Sequence, residues 1–211
     1  MIDPWKRVLV LAPHTDDGEF GCGGAMARLV ERGVEVRYLA LSIATKSLPP
    51  GFPPDTLARE VREATAILGI PPEALSVHDY EVRTFPERRQ DILELLIGLA
   101  EEWPPDAVLM PSLRDIHQDH QVVAAEGLRA FKRTTVLGYS IPWNNLEFDY
   151  QAYVSLERAH VERKVEALSR YESQQHRNYA NPDYIWNLAR AHGINVGREF
   201  AEVFEVYRLV T

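Results

Sequence analysis

The chain has 211 residues, of which 45% are hydrophobic and 26% charged, a composition typical of a folded globular protein. Its formal net charge of -8 argues against binding to nucleic acid, because sequence-independent binding requires clustered Lys and Arg. The single cysteine, Cys22, excludes an intramolecular disulfide and a cysteine-rich zinc finger. No transmembrane segment or signal peptide is recognisable, so we expect a cytoplasmic protein with one domain over residues 1–211.

Short aliphatic runs alternate with amphipathic segments along the chain, a pattern typical of β-α units. The runs predict five strands, at residues 8–12, 34–42, 75–78, 107–111 and 135–141. The amphipathic segments predict helices at residues 23–32, 56–68, 88–103, 121–132, 157–171 and 183–191. A last apolar-polar stretch covers residues 199–210. The alternation predicts an α/β fold with a mostly parallel, doubly wound, Rossmann-like sheet and helices on both faces.

The first predicted strand is followed by three polar residues, His14, Asp16 and Asp17. Each residue alone fits a loop or a helix cap. The set fits this explanation less well, because adjacent carboxylates need a compensating cation and no Lys or Arg lies between residues 13 and 26. A divalent metal would supply that charge. Only one of the two carboxylates need bind it, which leaves the other free to act as a base.

Three glycines, Gly21, Gly23 and Gly24, follow this first cluster. We expect them to allow close packing of strand against helix and to adopt positive φ angles. A nucleotide-binding loop is disfavoured, because the spacing is not G-x-G-x-x-G and the neighbouring carboxylates would repel a pyrophosphate.

A second polar cluster follows the strand at 107–111 and contains His117 and His120. Ligands of doubly wound sheets bind beyond the carboxyl ends of the strands, so we expect the two clusters to face each other. Either histidine could complete a site of two His and one carboxylate for zinc or iron(II), and the other could act as an acid or an electrostatic stabiliser. Asp115 or Asp119 could orient an imidazole, although Asp119 also fits a helix N-terminus.

Candidate substrate contacts lie outside the two clusters. Arg59 and Arg62 occupy the helix predicted at 56–68 and could reach a sugar hydroxyl or a phosphate, but they also fit a solvated helix face. Trp143 and Asn144 follow the fifth strand. An aromatic ring there could stack on a sugar and an amide could bind a hydroxyl, whereas a simple turn is the alternative.

Residues 13–17 (PHTDD) and 21–24 (GCGG), together with 117–120 (HQDH), resemble the two signature motifs of the PIG-L (LmbE-like) zinc-dependent N-acetylglucosamine de-N-acetylases. The chain departs from the family at Thr15, where Pro is common, and at Gly18, where Glu is common. The C-terminal part is also similar to one bacterial branch of this family, at residues 162–168, 171–174 and 201–204.

The resemblance implies a role for each residue of the two clusters. His14, Asp17 and His120 would hold the metal. Asp16 would be the general base, and His117 would be the general acid or the oxyanion stabiliser.

The implied reaction is hydrolysis of the acetamide of a small N-acetyl sugar or glycoconjugate, giving acetate and a free amine, with Zn2+ or Fe2+ as cofactor. Two other classes of function are weighed against it. A metal-dependent phosphoesterase is disfavoured because no further Asp-rich pair could hold a second metal. A non-catalytic sugar-binding protein with a retained metal site is disfavoured because a structural zinc site would not need a spare carboxylate. A homo-oligomer is compatible with the sequence.

Overall fold

This computed structural model describes residues 5–210, which are arranged around one sheet with strand β1 in its interior. The strands are β1 (Arg7–His14), β2 (Glu35–Ser42), β3 (Leu75–Val77), β4 (Ala107–Pro111), β5 (Thr135–Tyr139), β6 (Ala152–Leu156) and β7 (Phe200–Arg208). The helices are α1 (Asp17–Glu31), α2 (Thr56–Ile67), α3 (Arg89–Glu102), α4 (Gln118–Ala130), α5 (Arg158–Ser169) and α6 (Pro182–Ile194). Within the described residues, none of these helices is both long and apolar enough to cross a membrane.

The strands form one sheet in the order β3-β2-β1-β4-β5-β7-β6. Pairing is parallel from β3 through to β5, which confirms the predicted mostly parallel sheet. Strands β7 and β6 extend this sheet in antiparallel pairing. The sequence did not predict β6, because four of its five residues are only partly buried and the apolar run typical of a central strand is absent.

Side chains alternate along β1 and divide the core into two layers. Val8, Val10 and Ala12 face the layer that contains α1, α2 and α5. Leu9 and Leu11 face the layer that contains α3 and α4. A strand covered on both faces carries a continuous aliphatic run because neither face meets water. The predicted helices on both faces are therefore confirmed.

Helices α1 and α4 both begin earlier than the sequence predicts, inside the polar clusters. Helix α1 begins at Asp17 rather than at residue 23, and it leaves helical geometry at Cys22, with φ −147° and ψ 25°. The amphipathic pattern identified only the segment after this kink. Helix α4 begins at Gln118 rather than near residue 121, and His117 is its N-cap. Asp16 and Asp17 therefore lie at the N-terminus of α1, and His117, Asp119 and His120 lie at that of α4, whereas His14 ends β1.

The glycines of α1 allow the helix to lie close to its neighbours. A methyl group on Gly21 would overlap the ring of Tyr139, and one on Gly24 would overlap Leu156. None of Gly21, Gly23 and Gly24 has a positive φ, so that part of the prediction was wrong. The fold uses the small size of these glycines rather than their backbone freedom.

The turn between β1 and α1 is held by two buried tyrosines. The carbonyl oxygen of Thr15 lies 2.9 Å from the hydroxyl of Tyr38 and 2.7 Å from that of Tyr171. Both hydroxyls also contact the carboxyl group of Glu19, whose pKa burial raises to about 8. Strand β2 and the segment after α5 thus fix this turn from two sides.

Gly21→Ala should lower the free energy of unfolding by about 1–3 kcal/mol, the usual cost of overpacking a core. Tyr139 cannot move aside easily, because it is fully buried and its hydroxyl donates to the Leu11 carbonyl at 2.8 Å. Gly98→Ala is the matched control, since an added methyl there meets no atom within 4 Å. Urea unfolding measures both variants, and equal effects would contradict the packing argument.

Tyr171→Phe should lower the free energy of unfolding by about 1–3 kcal/mol, because the buried Glu19 carboxyl and Thr15 carbonyl lose a partner. Tyr184→Phe serves as the control, because no hydrogen bond of the Tyr184 hydroxyl is found within residues 5–210 and the side chain is only partly buried. Thermal or urea unfolding gives the comparison. A Tyr171 variant as stable as the Tyr184 variant would show that the network is dispensable.

Candidate functional site

The candidate site lies at the point where the order of strands in the sheet reverses. Strand β2 follows β1 on one side, whereas β4 pairs with β1 on the other. Such a switch point opens a crevice beyond the carboxyl ends of the strands. Both polar clusters follow these ends, and residues from both line a cavity of about 330 Å³. The two clusters, far apart in the sequence, are therefore adjacent in the fold.

Three side-chain atoms converge in the lining of this cavity. His14 Nδ1 lies 3.1 Å from Asp17 Oδ2 and 3.3 Å from His120 Nε2, and the last two atoms are 3.2 Å apart. Two atoms bound to a tetrahedral ion at about 2.1 Å lie about 3.4 Å from each other. The three atoms thus have the spacing of one face of a coordination tetrahedron. Two imidazoles and a carboxylate suit zinc or iron(II).

Each of these imidazoles contacts a second carboxylate through its other nitrogen. His14 Nε2 lies 3.0 Å from Asp119 Oδ2, and His120 Nδ1 lies 2.7 Å from Asp115 Oδ2. A proton on each of these nitrogens leaves a lone pair on His14 Nδ1 and His120 Nε2, the two atoms of the triangle. Asp115 and Asp119, which the sequence offered as alternatives, each contact one histidine.

The carboxylates make this site favourable for positive charge. Burial lowers the pKa of His14, but the charge of Asp17 and the hydrogen bond with Asp119 outweigh it and raise that pKa to about 8. Burial likewise lowers the pKa of His120, but Asp17 and Asp115 raise it to about 10. Burial opposes ionisation of Asp17, yet His120 and His14 hold its pKa well below the usual range. The same carboxylates would stabilise a divalent cation bound between them.

Asp16 lines the cavity beside this triangle. It occupies the N-cap position of α1, but its side chain makes no capping hydrogen bond. Burial raises the pKa of Asp16 to about 6, and the charge of Asp17 contributes to the rise. An aspartate at an N-cap ordinarily binds the helix amides. The Asp16 carboxylate is instead available to a molecule in the cavity.

His117 also lines the cavity, and its tautomer follows from its contact with α4. Its Nδ1 accepts a hydrogen bond from the Asp119 amide at 3.2 Å. Neutral imidazole therefore carries its proton on Nε2. Burial and the positive charges of His120 and His14 lower the pKa of His117, which favours this neutral form. His117 thus offers one N–H donor.

The three histidines form a second possible set of metal ligands. One nitrogen from each of His14, His117 and His120 lies within 4.8 Å of the others. This set is wider than the triangle that includes Asp17, whose edges are at most 3.3 Å. His117 Nδ1 is also engaged by the helix cap. The triangle with Asp17 therefore fits a single ion better.

Aromatic side chains line another part of the cavity. Trp143 and Tyr179 stack with ring centroids 3.8 Å apart, and Phe20 meets Trp143 edge-on at 5.1 Å. Asn144 lies in the same lining, with its Nδ2 3.5 Å from Asp115 Oδ2. The structure thus brings Trp143 and Asn144 to the cavity. Sequence reasoning did not identify Tyr179, which follows an irregular polar segment.

The two arginines expected to contact substrate are not part of the cavity lining. Arg59 lies 3.7 Å from Asp55 on the exposed face of α2, and Arg62 donates to a carbonyl of its own helix. Their placement follows the helical period, which turns both toward solvent. Arg83 and Arg177 line the cavity instead. Sequence reasoning missed both, because they lie in irregular segments without a motif or a periodic pattern.

Comparison with known proteins identifies related sequences and folds. A model of the PIG-L family, described as GlcNAc-PI de-N-acetylase, matches residues 9–131. The diacetylchitobiose deacetylase of Thermococcus kodakarensis is 27% identical over an alignment of 205 residues that covers 87% of this chain and 73% of that protein. The crystal structure of the conserved protein TT1542 from Thermus thermophilus matches with a TM-score of 0.81 at 25% identity, over 97% of this chain and 95% of that chain.

The fold alone does not determine the reaction. GalB, the 4-carboxy-2-hydroxymuconate hydratase of Pseudomonas putida KT2440, matches with a TM-score of 0.79 at 21% identity, over 98% of both chains. Function must therefore be argued from the residues of the site. The segment matched by the family model, residues 9–131, spans more than half of the chain and contains both polar clusters. The chain belongs to the PIG-L (LmbE-like) family of de-N-acetylases.

Proposed function

We propose that this protein is a metal-dependent amide hydrolase that removes the acetyl group from an N-acetylated amino sugar or its conjugate. The products are acetate and a free amine. The observation that carries the proposal is the triangle of His14, Asp17 and His120, with the carboxylate of Asp16 beside it and not engaged in capping the helix. Membership of the PIG-L family and similarity to a diacetylchitobiose deacetylase support the same reaction.

His14, Asp17 and His120 would hold the metal through the three atoms of the triangle. When bound there, zinc or iron(II) would polarise the acetyl carbonyl and lower the pKa of a water molecule. Three protein ligands leave a position open, as catalytic sites require. Asp115 and Asp119 would keep the two imidazoles directed toward the ion through the hydrogen bonds to their other nitrogens.

Asp16 would carry the proton transfers. Its carboxylate lines the cavity and does not cap α1, so its oxygens are available to a water molecule. As the water attacks the acetyl carbon, Asp16 accepts its proton, and it then returns this proton to the amide nitrogen as the C–N bond breaks. One carboxylate thus acts first as a base and then as an acid.

His117 would stabilise the oxyanion of the tetrahedral intermediate. The hydrogen bond from the Asp119 amide to Nδ1 supports this role, because it leaves Nε2–H as a donor. A general-acid role would require a second proton on the ring and would break that hydrogen bond. Of the two roles that the resemblance left open, the oxyanion role is therefore better supported.

A phosphoesterase is the second candidate considered. Hydrolysis of phosphate esters commonly uses two ions that clamp the attacking and leaving oxygens. Within residues 5–210, the side chains that could hold a metal form a single group around the histidines. This favours one ion and an amide substrate. Release of acetate rather than phosphate distinguishes the two activities.

Chelation should abolish amine release from N-acetylglucosamine and N,N'-diacetylchitobiose, and added Zn2+ or Fe2+ should restore it. His120→Ala should bind less metal, because it removes one vertex of the triangle. His78→Ala is the control, since this partly buried histidine is not among the residues lining the cavity. Elemental analysis and a colorimetric amine assay measure both effects. Turnover that persists without metal, or phosphate release from a phosphate ester without any amine release, would contradict the proposal.

Asp16→Asn should reduce turnover by about 10²- to 10⁴-fold, the usual contribution of a general base. Metal content should stay at the wild-type level, because the triangle does not include Asp16. Asp79→Asn makes the same change outside the cavity lining and should leave activity intact. Steady-state kinetics and elemental analysis provide the measurements. Normal turnover by the Asp16 variant would remove this residue from the mechanism.

A further inference from the structure

The carboxylate of Asp119 is held by a segment that lies outside both polar clusters. This segment, residues 82–85, connects β3 to α3. The Arg83 amide donates to Asp119 Oδ2 at 2.6 Å, and the same oxygen lies 3.0 Å from His14 Nε2. The Phe85 amide donates to Asp119 Oδ1 at 3.3 Å. Both carboxylate oxygens therefore accept a hydrogen bond from the backbone of one short segment.

Asp119 directs its carboxylate at this segment rather than at its own helix. It lies in the first turn of α4, where an acid commonly interacts with the helix amides. Within residues 5–210, however, all the hydrogen bonds of its carboxylate go to His14, Arg83 and Phe85. The side chain is fully buried, so the two amides are donors that bulk water cannot replace. Since the Asp119 amide also donates to His117 Nδ1, this residue links the segment to two histidines of the cavity.

The two amides converge on Asp119 because the backbone at Arg83 is left-handed. Its φ is 72°, which is uncommon for a residue with a side chain. Turns of this kind direct nearby N–H groups to one side and form a concavity that binds an anion. A non-glycine residue held in this region costs of order 1–3 kcal/mol and persists only where the surrounding structure enforces it. The placement of the amides on Asp119 gives this strained backbone a function.

The residues on either side of Arg83 anchor the segment in both layers of the core. Val82 is buried in the layer that contains α1, α2 and α5. Phe85 is fully buried in the layer that contains α3 and α4, and its ring centroid lies 6.1 Å from that of His14. The segment therefore passes from one face of the sheet to the other beside His14, and packing on both faces fixes its position.

We propose that residues 82–85 position the metal site: the amides of Arg83 and Phe85 fix Asp119, and Asp119 fixes the ring of His14 so that Nδ1 stays in the triangle. Arg83 acts here through its amide and its backbone conformation, not through its guanidinium group. Loss of a group that orients a ligating histidine typically lowers metal affinity by about 10- to 100-fold. This proposal rests on the metal site of the proposed function and adds a positioning residue that neither polar cluster contains.

The test measures the zinc affinity of Arg83 variants by competition with a chromogenic chelator. Arg83→Gly and Arg83→Pro both remove the guanidinium group, but glycine adopts a positive φ freely, whereas proline has no N–H and fixes φ at about −65°. Arg83→Gly should bind zinc within about twofold of wild type, and Arg83→Pro should bind it about 10- to 100-fold more weakly. An equal loss in both variants would overturn the proposal, because it would assign the effect to the side chain. Wild-type affinity in Arg83→Pro would overturn it as well.

Arg83→Val keeps the experiment decisive if Arg83→Pro does not fold. Valine retains the amide, but its β-branched side chain disfavours a positive φ, so Arg83→Val should bind zinc more weakly than Arg83→Gly. Equal affinity in these two variants would contradict the role of the backbone conformation. Thr84→Ala is the matched control, because it removes a neighbouring hydroxyl that donates to the Glu81 carbonyl at 2.8 Å and leaves both amides in place. It should keep zinc affinity within about twofold of wild type.

Hydrogen exchange in the metal-free protein tests the contact itself. The Arg83 and Phe85 amides should be protected from exchange in the wild type and should lose this protection in Asp119→Ala. The Tyr80 amide, which donates to the Leu41 carbonyl at 3.0 Å, should stay protected in both proteins. Unchanged protection of the Arg83 and Phe85 amides in Asp119→Ala would overturn the proposal.

These measurements separate the positioning role from the deacetylase function. Zinc affinity and amide exchange need no substrate. The expected order of the Arg83 variants would therefore support the positioning role even if wild-type protein released no acetate from any N-acetyl sugar, and the deacetylase proposal alone would then fail. Metal-dependent release of acetate, with equal zinc affinity in Arg83→Gly and Arg83→Pro, would leave the deacetylase function standing and overturn the positioning role.

Discussion

The arrangement of the site depends on the contacts that the carboxylate of Asp17 makes. Its Oδ2 accepts a hydrogen bond from the His14 amide at 2.8 Å and lies 3.1 Å from His14 Nδ1 and 3.2 Å from His120 Nε2. Asp17 is also the first residue of α1, where the helix dipole favours negative charge. One oxygen atom therefore links the end of β1, the start of α1 and the first turn of α4. A displacement of any of these elements would change the distances between the three atoms of the triangle.

The position of α1 is in turn controlled by the C-terminal third of the chain. The kink at Cys22 leaves helix amides free after it, and Glu202 of β7 accepts hydrogen bonds from Gly24 and Ala25 at 3.0 and 2.6 Å. Lys164 of α5 lies 2.7 Å from both Glu202 and the Phe20 carbonyl. Breaking such a buried ion pair is costly, because the remaining charge is left unpaired. The pair thus holds the two segments of α1 at a fixed angle, with the first segment directed into the site.

The convergence of His14 and His120 could be predicted from the sequence, because both follow buried strands and a doubly wound sheet collects the ends of adjacent strands at one edge. The sequence could not predict which aspartate contacts which histidine, because Asp115 and Asp119 are close in sequence. They contact different histidines because Asp115 precedes α4 and Asp119 lies in its first turn. The approach of Arg83 and Arg177 to the cavity could not be predicted either. Both lie in irregular segments whose position depends on tertiary packing, for which periodicity carries no signal.

The cavity is built from both sides of the boundary at which the family match ends. The family model ends at residue 131 and includes all the residues proposed to bind metal and transfer protons. Trp143, Arg177 and Tyr179 lie after this boundary and line the same cavity. Relatives that share the matched segment can therefore share the hydrolytic chemistry while a different C-terminal part selects a different sugar conjugate. On this argument, the residues proposed to carry the reaction lie in the segment that the family model matches, whereas part of the cavity that would select the substrate lies beyond it.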